Sequence, residues 1–134
     1  MNIAFALEPD LPAEAFRQVL VASTLGARRP VDDLSRLETM LRRADLIVTA
    51  REDERLVGVA RAITDFAYCC YLSDLAVDEA WQRRGVGKRL IAETHRAAGE
   101  MTTLLLVAAP AAEAYYPKIG MVPVTRAWSI PRKH

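Results

Sequence analysis

V-D-E-A-W-Q-R-R-G-V-G-K-R-L-I-A, residues 77–92, is the stretch that decides the fold. It joins an apolar, strand-like run that ends at Val77 to a helical pattern that opens at about Val86, with Leu90 and Ile91 on one face. The first N–H groups of a helix have no partner within it, and the aligned peptide dipoles place partial positive charge there. The junction therefore predicts a site for an anionic ligand.

Two glycines and four cations mark this junction. Gly85 and Gly87 allow the backbone to approach a ligand closely and to adopt positive φ. Positive charge surrounds the turn on four side chains: Arg83, Arg84, Lys88 and Arg89. Together these features predict a cradle for a di- or polyphosphate. A solvated, Arg-rich surface connection is the alternative that the loop alone leaves open.

Spacing narrows the class of phosphate site. A Walker loop needs a glycine five positions before Gly87, where this chain has Gln82, and a dinucleotide fingerprint needs its third glycine where Leu90 stands. The pattern Q-x-x-G-x-G, at Gln82, Gly85 and Gly87, resembles the acetyl-CoA pyrophosphate loop of the GCN5-related N-acetyltransferases (the GNAT family). The resemblance implies acetyl-CoA as co-substrate, with its pyrophosphate held by Gln82, Arg83, Arg84, Gly85, Val86, Gly87 and Lys88.

A second motif follows later in the chain. A-E-A-Y-Y-P-K-I-G-M, residues 112–121, is similar to the family's late segment, in which an alanine precedes an aromatic-Tyr pair. The resemblance implies that Tyr116 is the general acid, since a tyrosine with a pKa of about 10 is protonated at neutral pH and can protonate a departing thiolate. We expect Tyr115 in the core and Tyr116 in the cleft; aromatic packing at a helix end is the alternative. Pro117 biases Tyr116 away from helical backbone angles.

Further roles fall on the strand before the loop. The resemblance implies that the backbone of Leu75, Ala76 and Val77 binds the cofactor arm and offers an N–H to the developing oxyanion. Asp74 is the candidate base for the incoming amine, because a carboxylate in an apolar strand is costly unless it is paired or used. An aspartate that hydrogen-bonds neighbouring backbone is an equal alternative. With Asp65 it gives the acceptor site an acidic mouth, which favours a small primary amine over an anionic acceptor.

The order of predicted elements also resembles the family's fold. The expected strands are 2–7, 46–50, 56–64, 68–77, 102–107 and 122–130, and the expected helices open at Pro12, at Asp32 or Asp33, at Val86 and at Pro110. Residues 68–77 are almost wholly apolar, which predicts a strand covered on both faces. The helix from Val86 is expected to run to about Met101. This is an α/β (α+β) arrangement, the acyl-CoA N-acetyltransferase fold: a mixed, twisted sheet with helices on both faces, opened between its fourth and fifth strands.

Composition is typical of one globular domain over residues 1–134: the chain is 51% hydrophobic and 26% charged. A net charge of +1 does not favour a nucleic-acid coat. The N-terminus lacks the pattern of a signal peptide, and no run approaches the roughly 18 apolar residues of a membrane span. We therefore expect a cytoplasmic protein without membrane contact. Cys69 and Cys70 should point to opposite faces of a strand, and no metal site is expected.

Three questions stay open at this level. The chain could be a non-catalytic acyl-CoA-binding or sensor module, or a phosphate-backbone binder of RNA or DNA with steep salt dependence. The acceptor is an amine of a small molecule or peptide, without further identity. A homodimer through the C-terminal strands, including Trp128, is compatible with the resemblance, and packing of Trp128 within its own chain is the alternative.

Overall fold

The computed structural model describes residues 2–134, and it contains a five-stranded sheet with helices on both faces. The strands are β1 (Ile3–Leu7), β2 (Leu46–Glu52), β3 (Arg55–Thr64), β4 (Cys69–Val77) and β5 (Thr103–Leu106). The α-helices are α1 (Ala13–Ala22), α2 (Leu34–Arg42), α3 (Val86–Ala98) and the short α4 (Tyr115–Lys118). Three 3-10 turns, Leu25–Arg28, Glu79–Trp81 and Pro110–Ala112, lie in the connections.

The sheet has the order β1-β2-β3-β4-β5. The first four strands pair antiparallel, and β5 pairs parallel to β4. The parallel pairing runs only from Cys69 opposite Thr103 to Leu72 opposite Leu106. The second half of β4 is therefore without a strand partner on that side, and the sheet opens between β4 and β5. This opening and the mixed sheet confirm the predicted fold class.

The helices begin and end where local chemistry requires it. The Asp33 carboxylate accepts the Arg36 N–H at 3.0 Å, which caps α2 at one of the two predicted positions. Helix α3 ends at Gly99, whose φ of 104° lies in the left-handed region. At Gly58 on β3, an added Cβ would lie 3.0 Å from a Leu90 methyl, so the glycine permits the close approach of α3 to the sheet.

Two hydrophobic layers flank the sheet. One packs α3 against strand residues such as Val48, Val57 and Leu72. The other packs α1 and α2 against the opposite face, with Phe16 and Leu37 fully buried. The period-2 alternation of β3 and β4 side chains places their residues in one layer or the other. Among residues 2–134, no helix is long and apolar enough to cross a membrane.

Three expectations for individual elements were wrong. Residues 122–130 form no strand, and Trp128 is 94% exposed, so it does not pack within its own chain. The first half of β4 is covered on one face only, because Cys69 and Tyr71 are exposed where α1 and α2 do not reach. Met101 lies beyond the end of α3 and is 74% exposed rather than on its inner face. Cys69 is exposed and Cys70 buried, so the two do face opposite sides.

Candidate active site

A β-bulge in β4 shapes the opening of the sheet. Arg61 pairs with Asp74 and Ala62 pairs with Leu72, so Ser73 is an extra residue on β4. The bulge comes directly after the last β4–β5 pair, which is Leu72 with Leu106. A bulge increases the local twist and ends regular pairing. A cleft of about 530 Å³ lies here, lined by Ser73 and Tyr116 among others.

Beyond the bulge, the main chain of β4 alternates between its two sides. Asp78 donates its N–H to the Val57 carbonyl at 2.9 Å, which directs the backbone groups of Asp78 and Ala76 toward β3. The backbone groups of Leu75 and Val77 then face the cleft, and both residues line it. Leu75 and Val77 therefore fit the predicted cofactor arm contact. Ala76 does not, because its backbone groups serve the β3 ladder.

The glycine loop joins β4 to α3 in a conformation suited to an anion. Gly85, the N-cap residue of α3, has φ 80°, and Arg83 has φ 64°. The Gln82 side-chain amide donates to the Val77 carbonyl at 2.9 Å and closes the loop against the end of β4. The first α3 N–H bonded to a loop carbonyl is that of Arg89, which donates to Gly85. The N–H groups of Val86 and Gly87 have no partner from the helix itself and are available to an anion.

Four cationic side chains surround this loop, and two are already engaged. Arg84 stacks on the Trp81 ring at 5.0 Å, and Arg89 lies over the Phe5 ring at 4.8 Å. Arg89 also pairs with Glu93 at 3.1 Å. Arg83 and Lys88 are exposed. The loop therefore offers backbone N–H groups together with positive charge from both packed and exposed side chains, which fits a pyrophosphate.

The lack of a side chain at Gly87 also leaves room for Tyr115. A Cβ at this position would lie 3.3 Å from the Tyr115 hydroxyl. The backbone N–H of Lys88 donates to that hydroxyl, which opposes the rise in the Tyr115 pKa caused by burial. Tyr115 is half-buried and contacts the start of α3. It is not a core residue, which corrects the sequence-based expectation.

Tyr116 is half-buried and lines the cleft between β4 and β5. Its ring packs edge-on against Tyr115, with centroids 5.3 Å apart. Burial raises the pKa of the Tyr116 hydroxyl, and the neighbouring Tyr115 adds to the shift. The hydroxyl therefore keeps its proton at neutral pH, as a general acid must. Tyr116 lies within α4, so the expectation that Pro117 keeps it from helical backbone angles was wrong. Pro117 is the third residue of this helix, where its missing N–H costs no interior hydrogen bond.

Asp74 is fully buried, and its carboxylate is shared by two arginines. Arg29 Nε donates to one oxygen and Arg61 Nε to the other. Both guanidinium groups continue to Ser73, with Arg29 reaching its carbonyl at 2.8 Å and Arg61 its hydroxyl at 3.0 Å. Each carboxylate oxygen thus already accepts from a guanidinium group, so neither is directed at an incoming amine. This geometry does not fit the predicted base; it fits an anchor for two arginines.

Asp65 also has a structural role. One of its oxygens accepts the N–H groups of Ala67, Tyr68 and Cys69 at 2.8–3.1 Å. These backbone donors lower the pKa of Asp65 to about 2. The carboxylate holds the β3–β4 turn and lines neither large cavity at the sheet opening. The expected acidic mouth is therefore wrong.

The sequence reading missed the arginines at this opening. Arg28 and Arg29 follow α1 in the Leu25–Arg28 turn and the residue after it, and Arg61 lies within β3. Arg61 is 7% exposed, which is rare for a charged side chain without a partner. A charged residue in the otherwise apolar run 57–63 was the available signal. Among residues 2–134, no cluster of His, Cys, Asp and Glu could hold a metal ion.

Comparison with known proteins agrees with this geometry. The model of the acetyltransferase (GNAT) domain matches residues 19–128. No curated protein matches the sequence. Among solved structures, a protein of unknown function from meticillin-resistant Staphylococcus aureus superposes with a TM-score of 0.81 at 19% identity, over 99% of this chain and 100% of that one.

Two further structures carry more specific descriptions. A GNAT-family acetyltransferase from Streptococcus pneumoniae gives a TM-score of 0.77 at 20% identity, over 98% of this chain and 100% of that one. The aminoglycoside N-acetyltransferase AAC(6')-Iy in complex with CoA gives a TM-score of 0.74 at 20% identity, over 99% of this chain and 96% of that one. At such identities the structures show a shared fold, while the domain match shows the family. The chain belongs to the GNAT acetyltransferases, and it is an N-acetyltransferase that uses acetyl-CoA.

Proposed function

We propose that the protein transfers the acetyl group of acetyl-CoA to a primary amine of a small molecule or peptide. The observation that supports this most directly is the continuous cleft at the β4–β5 opening. Gln82 of the glycine loop lines this cleft, and so do Tyr116, Leu75 and Val77, the last two with backbone groups that face away from β3. A phosphate cradle, a strand edge and a protonated hydroxyl are thus arranged along one path.

Different residues along this path would contact different parts of acetyl-CoA. The loop residues Gln82, Arg83, Arg84, Gly85, Val86, Gly87 and Lys88 would hold the pyrophosphate, mainly through backbone N–H groups. Leu75 and Val77 would pair with the extended arm, as an exposed strand edge pairs with any extended chain. Acetyl-CoA supplies an activated acetyl thioester. Tyr116 holds a proton at its hydroxyl and would deliver it to the departing sulfur.

The incoming amine must be neutral to attack. Asp74 is occupied by Arg29 and Arg61, so we propose that the amine loses its proton to solvent rather than to a carboxylate of the protein. The acid limb of the pH profile should then follow the pKa of the acceptor amine. Acceptors with different amine pKa values test this. The acid limb should move with the amine pKa, whereas titration of an enzyme group would leave it in one place.

A first experiment compares thermal unfolding with acetyl-CoA, CoA, ATP and no ligand at fixed salt. A ligand at about a hundred times its dissociation constant adds roughly 2.7 kcal/mol to the folded state. Stabilisation by both CoA compounds and not by ATP supports the cradle. If nothing shifts the transition, the cradle is wrong, and a nucleic-acid or structural role becomes the better explanation.

The second experiment replaces the proposed acid. Tyr116→Phe should lower kcat by about a hundredfold or more, the usual contribution of a positioned general acid, with CoA affinity unchanged. Tyr68→Phe is the matched control, because Tyr68 is 78% exposed and lies outside the cleft. CoA binding with no thiol release from any amine, in wild type and variant alike, would instead indicate a non-catalytic acyl-CoA sensor.

We also propose a homodimer formed through residues 122–130. The apolar positions Val122, Val124, Trp128 and Ile130 are all exposed. Val122 and Val124 are two positions apart, as are Trp128 and Ile130, the spacing of side chains on one face of a strand, with Arg126 between the two pairs. Residues 122–130 form no strand within the described residues 2–134, so a second copy would have to supply the partner strand.

A further inference from the structure

A second cavity of about 630 Å³ adjoins the cleft of Tyr116. Its walls are the Leu25–Arg28 turn, the start of α2, Arg61 on β3, and the exposed face of β4. It shares Arg28, Arg29 and Ser73 with the neighbouring cleft, so the two form one continuous space. No residue of the glycine loop lines it. The cavity therefore lies on the far side of the reacting centre from the phosphate cradle, where an acceptor would enter.

The lining of this cavity is strongly cationic. Five arginines face it: Arg28, Arg29, Arg36, Arg61 and Arg132. No Asp or Glu side chain of residues 2–134 lines it. The buried carboxylate of Asp74 is paired with two of the arginines, Arg29 and Arg61. Arg29 and Arg61 thus share Asp74, and the guanidinium groups of the other three arginines have no Asp or Glu partner within residues 2–134.

These three arginines differ in how they are held. Arg36 donates to the main-chain oxygen of His134 at 3.2 Å. Arg28 and Arg132 make no side-chain hydrogen bond or ion pair within residues 2–134. Arg28 is nearest to the reacting centre, because it borders both the acceptor cavity and the cleft that contains Tyr116. An unpaired guanidinium between two cavities is placed to bind a planar or tetrahedral oxyanion.

Resting on the proposed acetyl transfer, we infer that the acceptor carries an anionic oxygen group, a carboxylate or a phosphate, in addition to its amine. Arg28 binds that group, supported by the Asp74-anchored guanidinium of Arg29. The anionic group is what makes the enzyme prefer such an acceptor to a neutral amine. A polycationic amine such as an aminoglycoside is repelled by the same residues.

The test uses matched acceptors with free-thiol detection. Amino acids are compared with their carboxamides, aminoalkyl phosphates with the corresponding amino alcohols, and an aminoglycoside represents polycations. We expect kcat/KM at least tenfold higher for the anionic member of one of the first two series, and that series identifies carboxylate or phosphate. Equal or better use of the neutral or polycationic acceptors overturns the inference.

Arg28→Gln isolates the residue. It should lower kcat/KM at least tenfold for the preferred anionic acceptor and less than twofold for its neutral partner. Arg43→Gln is the matched control, because Arg43 is exposed, borders neither cavity and lies outside the proposed dimer segment. An equal loss for both acceptors, or no loss, contradicts the role given to Arg28.

A binding measurement separates this inference from the proposed function. N-acetyl amino acids, their amides and N-acetylaminoalkyl phosphates are titrated calorimetrically into the wild-type protein saturated with CoA. Tighter binding of the anionic compounds, lost in Arg28→Gln, supports the inference even if no amine is acetylated. Thiol release from neutral amines alone, with no anion preference in binding, supports acetyl transfer and refutes the anionic acceptor.

Discussion

The Tyr116 hydroxyl titrates later than an ordinary tyrosine, because burial and Tyr115 both disfavour its phenolate. A group with a raised pKa keeps its proton to higher pH, so its general-acid role persists until the pH passes its folded pKa. We expect the alkaline limb of kcat to lie above pH 10, the ordinary tyrosine value. A pH profile between 6 and 11 measures it. Loss of activity centred below pH 9 would show that another group is titrating.

The two glycines of the loop predict opposite effects. Gly85→Ala should cost about 1 kcal/mol of stability, since the residue has positive φ while an added Cβ meets no atom within 4 Å. Gly87→Ala replaces a helical glycine and should leave stability unchanged or raise it by up to about 1 kcal/mol. Its Cβ would press on the Tyr115 hydroxyl, so CoA affinity should fall.

Urea unfolding and CoA titration of both glycine variants separate these effects. A Gly87→Ala protein that binds CoA as tightly as wild type would show that the Tyr115 contact is unimportant for the cradle. A Gly85→Ala protein of unchanged stability would show that the turn relaxes without strain.

At the level of elements, the β-bulge and its ion pairs connect β3, β4 and the turn after α1. Asp74→Asn leaves the guanidinium groups of Arg29 and Arg61 without a counter-charge. Breaking a buried pair in this way should cost on the order of 3 kcal/mol. Denaturant unfolding measures the loss. Asp78→Asn is the control and should cost less than about 1 kcal/mol, because its partner Arg55 is largely exposed.

The same variant tests the discarded role of Asp74. If Asp74 were the general base, Asp74→Asn would abolish activity with little change in stability. A large loss of stability, together with activity that recovers under stabilising conditions, supports the anchor role.

Strand β4 and the loop after it show which parts of the site could be predicted from the sequence and which could not. The phosphate loop was predictable because its information is local: an apolar strand, Gly85 and Gly87 at fixed spacing, and a helical pattern. The Asp74 site was not, because its partners Arg29 and Arg61 lie 45 and 13 positions away. The pairing of β3 with β4 brings Arg61 to Asp74, and the turn after α1 brings Arg29. A costly buried carboxylate could therefore be noticed in the sequence, but its partners could not.

At the level of the molecule, residues 122–130 predict self-association. Trp128 is 94% and Ile130 98% exposed, an apolar surface that a monomer would present to water. We expect a dimer in sedimentation equilibrium and a monomer for the double variant Trp128→Ser, Ile130→Ser. Tyr68→Ser removes an exposed aromatic elsewhere and should remain dimeric. A monomeric wild type at micromolar concentration would contradict the dimer.

The strand that sequence analysis expected at residues 122–130 illustrates a general difficulty. Alternating apolar positions indicate a strand with one buried face, but they do not say which surface covers it. Within residues 2–134 no surface covers these positions, so the expected strand does not form. The helix at Pro110 was likewise divided into Pro110–Ala112 and Tyr115–Lys118, which position Tyr116 at the cleft.

The contact between Tyr115 and the start of α3 has a consequence for the kinetic mechanism. Through Tyr115, the ring of Tyr116 is fixed to the side of the molecule that contains the glycine loop. The arginine-lined cavity does not include Tyr116. The position and pKa of the Tyr116 hydroxyl are therefore determined by the part of the enzyme that binds acetyl-CoA. They should not change with the acceptor bound in the arginine-lined cavity. Acceptors that differ widely in KM should share one alkaline pKa in their rate profiles.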